Sequence, residues 1–131
     1  MKDMIEKLQR VEQRISADKG AFELFALALP DSGLDMWDIL VSAQWIELER
    51  DELAALEVIA SCLNEEFSPD EMVQFSGMVI IERDNPDLHK IHSIVQVEHG
   101  EKAFENVSFF GTPLLKAVII TSRKIEDYAF K

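Results

Sequence analysis

The spacing of apolar residues changes twice along this chain, and each change restricts what the chain can fold into. Met1, Met4, Ile5, Leu8, Val11 and Ile15 recur at intervals of three and four, which is one face of a helix. That pattern ends at "ADKG", where Gly20 can take the left-handed cap conformation. From Phe22 the period becomes two: Phe22, Leu24, Ala26 and Ala28 fall on one side, and Phe25, Leu27 and Leu29 on the other. "PDSG" (30–33) is a turn, after which Trp37, Ile39, Val41, Ala43 and Trp45 make the apolar face of a second strand. A helix followed by an antiparallel hairpin is the expectation for the first third.

"RDELAALEVIASCLNEEF" returns to helical spacing through Leu53, Leu56, Ala60, Leu63 and Phe67. "SPDE" then opens a second, short helix, with Ser68 as N-cap, Pro69 in the first turn and Glu71 closing a capping box. "GMVIIER" (77–83) is nearly all apolar and predicts a central strand buried on both faces. "DNPD" starts another helix, capped by Asp84 or Asn85, that runs through Leu88, Ile91 and Ile94. "VQVEHGEKAFENVSFF" and "LLKAVIITS", parted by Gly111, Thr112 and Pro113, predict two or three strands, with the closing one central and "EHGE" at a hairpin tip. The tail "RKIEDYAFK" gives no firm pattern.

This order predicts an α+β fold: an antiparallel or mixed sheet of four to six strands, with helices packed mainly on one face. No repeat or linker divides the 131 residues, so one domain spanning 1–131 is expected. A hydrophobic content of 47% is that of a chain with a core rather than a disordered one. No apolar run nears the roughly 20 residues of a membrane span, and the polar start lacks a signal peptide's apolar centre. Cys62 is the one cysteine, so no internal disulfide can form, and a cytoplasmic location is the expectation.

Net charge is −12, and its distribution is lopsided. Fifteen acids lie between Asp31 and Asp87 against two bases, Arg50 and Arg83, while the rest of the chain is nearly balanced. Direct nucleic-acid binding needs clustered bases, so the charge argues against it. Glu47, Glu49, Asp51, Glu52, Glu65, Glu66, Asp70 and Glu71 flank one helix and are the candidate contacts for a basic protein partner. The alternative for the same residues is a solvated face that only keeps the domain soluble.

All three histidines lie in "HKIHSIVQVEH". His89 and His92 are one helical turn apart and could share a zinc or iron ion with His99, Asp84 or Asp87. "HxxH" alone is a weak motif, and His92 also fits the border of a buried helix face. Cys62, inside an apolar stripe, reads as a small core residue. Asp35 and Asp38 bracket Trp37 but fall on opposite faces of a strand, so they read as turn and solvated side. No phosphate loop or nucleophile elbow occurs, so no catalytic residue is assigned and no cofactor is expected.

Three functional expectations follow. The first is a small acidic, non-enzymatic domain docking on a basic protein, for example an inhibitor or immunity-type protein. The second is a metal- or small-ligand-dependent enzyme built on the three histidines. The third is a structural or scaffold subunit, homodimeric through a sheet edge or through Phe109 and Phe110.

Overall fold

The computed structural model describes residues 2–32, 34–49 and 51–125, so Met1, Gly33, Arg50 and the end of the tail lie outside the described residues. The elements are α1 (Lys2–Lys19), β1 (Phe22–Pro30), β2 (Trp37–Ala43), α2 (Gln44–Leu48), α3 (Glu52–Glu66), α4 (Pro69–Met72), β3 (Phe75–Ile80), α5 (Pro86–Ile94), β4 (Lys102–Phe109) and β5 (Thr112–Ser122). The fold is α+β, with five helices and a five-stranded mixed open sheet in the order β3-β2-β1-β5-β4. Every neighbouring pair is antiparallel except β2 and β3, which run parallel across the α2–α3–α4 connection. No helix among the described residues is long and apolar enough to cross a membrane.

β1 lies in the middle of the sheet and is buried from Phe22 to Leu29. On one face Phe25, Leu27, Leu29, Ile39, Val41, Val118 and Ile120 pack against the stripe of α1 and against Ala55, Ile59 and Leu63 of α3. On the other face Leu24, Ala26, Ala28, Leu40, Ala117 and Ile119 meet Leu88 and Ile91 of α5, with Ile81 and Val95 beside them. The two long helices therefore cover one face, and the shorter α5 shields part of the other. Cys62 is half-buried and packs against the first of these cores.

Alternation fails at one place in β1. Phe22 pairs with Ala43 and Leu24 with Ser42, so Glu23 is an extra residue in the ladder. The bulge turns Phe22 to the face of Phe25, where the two rings meet edge to face at 5.0 Å, instead of the side of Leu24 expected from strict alternation. It also sends the Glu23 side chain out of the strand's regular pattern.

Three further expectations are corrected. β3 is an edge strand, not a central one: its residues are half-buried or exposed, with Val79 42% exposed. Of the "GMVIIER" run, Ile81 is buried, but it lies past the strand's end, its N–H donating to the Val41 carbonyl at 2.8 Å. Consecutive apolar residues tell that a segment packs somewhere, and here Ile81 serves the face opposite to the first core. Trp45 belongs to α2, because the chain leaves β2 at Ala43 so that Ile46 is buried and the Trp45 ring packs on Phe22 at 5.9 Å. "EHGE" is not a hairpin tip. Val97 and Lys102 both pair along β5, with Ser122 and Ile119, so residues 98–101 bulge from a single edge.

The helix ends follow their local chemistry. The Asp51 carboxylate accepts from the Leu53 N–H, the Asn85 side chain from the Asp87 N–H, and Ser68 with Glu71 forms the capping box. Glu71 also accepts from the Lys7 ammonium at 2.7 and 2.9 Å, tying α1 to α4. Those bonds, with the one from the Ser68 backbone N–H, hold the Glu71 carboxyl below the usual glutamate range. A lowered folded pKa gives a stabilisation that is present at neutral pH and fades as pH falls through it. The urea midpoint of Glu71→Gln should therefore lie below that of the unchanged chain at pH 7, and the gap should close below about pH 4.3.

Candidate functional site

The eight carboxylates expected to form one contact surface divide into two groups. On α1, Lys7, Arg10 and Arg14 fall on one helical face and reach across to α3 and α4. Arg10 Nε donates to Glu66 at 2.6 Å, Arg14 Nη2 to Glu65 at 2.6 Å, and Lys7 to Glu71. These three acids are neutralised within the fold. Asp70 stands exposed on α4.

The other group gathers at the α2–α3 corner. Glu47, Glu49, Asp51 and Glu52 are exposed there, and so are two leucines: Leu48 is 75% and Leu53 61% accessible. Glu47 accepts from the Arg83 backbone N–H at 2.8 Å, which fastens α2 to the loop after β3. The parallel pairing of β2 and β3 brings this about, because both strands end on the same side of the sheet.

At that same end the start of β1, the loop after β3, the first turns of α5 and the segment after β5 line an open cavity of about 570 Å³. Glu23, placed there by the bulge, is 3% exposed. Its carboxylate accepts from the Arg83 guanidinium and, at 2.9 Å, from the Ile125 N–H. Arg83 in turn donates to the Ile125 carbonyl at 3.2 Å. The ion pair thus clamps three separate stretches of chain. Glu82, Asp84 and Lys124 complete the charged wall.

Two of the three histidines belong to this wall. His89 Nε2 donates to the Arg83 carbonyl at 3.0 Å, and His92 Nε2 to the Glu23 carbonyl at 2.8 Å. His92 is buried, and its Nδ1 has no hydrogen-bond partner among the described residues. His99 lies elsewhere. Its backbone sits at φ 52°, its N–H donates to Thr121 Oγ1 at 3.1 Å, and its ring bonds the fully buried Glu12 of α1. Ser16 Oγ donates to the second Glu12 oxygen at 2.9 Å.

Of the metal candidates His89, His92, His99, Asp84 and Asp87, the fold brings Asp84, His89 and His92 to one cavity and leaves His99 and Asp87 outside it. The bulge at 98–101 directs His99 to α1, and Asp87 lies 3.7 Å from Lys90. Among the described residues no group of three or more His, Cys, Asp or Glu is arranged to hold a metal ion. Asp38 accepts a bond from the Ser76 hydroxyl across β2 and β3, and Asp35 is exposed in the turn.

Sequence reasoning missed Glu23 and Arg83. The available signal was Glu23 itself, a lone charge inside "AFELFALALP", which a buried strand accepts only with a partner. No protein-family model, curated protein or solved structure matches the chain. Removing the cation in Arg83→Met leaves a buried carboxylate without its counter-charge and should cost about 3–5 kcal/mol in urea unfolding. The double variant Glu23→Leu/Arg83→Met should recover most of that loss.

Proposed function

We propose that the chain is a non-catalytic protein-binding domain that docks on a basic partner through the α2–α3 corner. An inhibitor or immunity-type protein for a cationic target is the concrete form of this reading. The observation that carries it is the pair of exposed leucines, Leu48 and Leu53, set among Glu47, Glu49, Asp51 and Glu52. A surface that served solubility alone would need the carboxylates but gain nothing from exposing two leucines.

Apolar anchors inside a charged rim are the general layout of a protein interface. The acids would raise the encounter rate with a basic surface, and the leucines would supply area removed from water on contact. Ion pairing with α1 narrows the surface from that expected on sequence. Glu65, Glu66 and Glu71 already have cationic partners, so among the described residues the carboxylates without one include Asp70, the corner group and neighbouring Glu82 and Asp84.

Affinity capture with the full chain at low and high ionic strength tests this reading. Basic proteins retained at low salt should be released at high salt. They should be retained about tenfold less by Glu49→Lys/Glu52→Lys, and less by Leu48→Ser/Leu53→Ser. Equal retention by all three chains, or retention indifferent to salt, would remove the docking surface.

A further inference from the structure

We propose that the outer edge of β3 takes up an extended, basic segment of a partner protein as a sixth strand of the sheet. The inference rests on the reading of a basic partner and names the form in which that partner is held. The two edges of the sheet differ. β4 carries features that discourage pairing: exposed Lys102 and Glu105 along it, and in mid-strand a left-handed residue, Asn106 at φ 52°. β3 has no such guard from Gly77 to Ile80, which pair with residues 38–41 of β2 in unbroken register. Its one irregularity comes earlier, at Ser76. The Ile81 N–H donates to the Val41 carbonyl, so by alternation the backbone groups of Val79 also turn to β2. Those of Met78 and Ile80 point away from the sheet, where β3 has no neighbour among the described residues. The Met78 and Ile80 side chains pack against the first core, so it is their N–H and C=O groups that are offered to an incoming strand.

Charge decides which strand fits. Asp38 and Asp70 stand near the start of β3, and Glu82 and Asp84 follow its end. None of the four has a cationic partner among the described residues, and the Arg83 guanidinium between the last two is turned to buried Glu23. Lys124 shares the cavity wall at that end, where carboxylates still outnumber cations. Antiparallel pairing with a second copy would bring the start of one β3 to the end of the other and set acid against acid at both ends. A segment with lysine or arginine at its two ends meets opposite charge instead. Exposed Val79 and the open space beside Gly77 leave room for its side chains on the face away from α3. The bond from the Arg83 N–H to Glu47 joins the end of β3 to the α2–α3 corner, so the added strand and the corner make one continuous surface.

Amide hydrogen exchange of the full chain, read by NMR with the peptide acetyl-Lys-Lys-Val-Thr-Val-Thr-Val-Lys-Lys-amide, tests the proposal. At saturation the peptide should slow exchange at Met78 and Ile80 about tenfold or more. The same peptide N-methylated at its three central residues keeps the charge but cannot complete a ladder. A counterpart with glutamates in place of the lysines keeps the ladder but reverses the charge. Neither should protect these amides. The variant Asp70→Lys/Glu82→Lys/Asp84→Lys, changed only at exposed positions, should bind the lysine peptide about tenfold more weakly. Unprotected Met78 and Ile80, equal binding of either control peptide, or undiminished binding by the variant overturns the proposal. So does protection that rises with protein concentration in the absence of peptide, which would give the edge to a second copy. Protection by the peptide in a chain that retains no basic protein keeps the edge and removes the corner, and retention of basic proteins without protection does the reverse.

Discussion

A strand with apolar side chains on both faces must be covered on both, and β1 imposes that requirement on everything around it. Its two ladder neighbours, β2 and β5, are antiparallel to it, which gathers the end of each beside the start of β1. The stripe of α1 and the inner side of α3 close one face, and α5 closes part of the other. The one charged residue in β1, Glu23, cannot be hidden in either layer. The bulge moves it to the strand's end, where the Arg83 guanidinium supplies the opposite charge. The cavity is thus a by-product of placing a carboxylate in the most buried strand of the fold.

Helix α1 has a second task beside packing. Its bases at 7, 10 and 14 stand over the acids that close α3 and open α4, and Lys7 also lies 5.5 Å from the centre of the Phe67 ring. The acidic middle of the chain and its balanced beginning are therefore complementary surfaces of one fold. Counting charges along the sequence overstates the field at residues 65–71 and understates the contrast with the α2–α3 corner.

Much of the architecture could be read before folding was considered. The change of apolar period located α1, β1 and β2, and turn and cap residues fixed α4 and α5 closely, because these signals act within a few residues. What escaped depends on contacts between distant segments. Whether "GMVIIER" is central or at an edge is decided by which strand pairs with it, not by its own residues. The bulge at Glu23 follows from the need to satisfy a charge 60 positions away. Trp45 continued the alternation on paper, yet Ile46 had to turn inward as well. The histidine cluster was legible as a coincidence of sequence but not as two sites, since the bend at 98–101 separates His99 from its neighbours.

The edge position of β3 carries a consequence of its own. Its outer row of backbone donors and acceptors faces solvent, Gly77 leaves open space beside it, and no proline or lysine interrupts Phe75–Ile80. Repulsion between molecules that each carry a formal charge of −12 at pH 7 opposes the pairing of two such margins. Colloidal behaviour should accordingly track the ionic atmosphere: concentrated salt or acid shortens the repulsion and lets these borders find each other, while dilute neutral buffer keeps the chains apart.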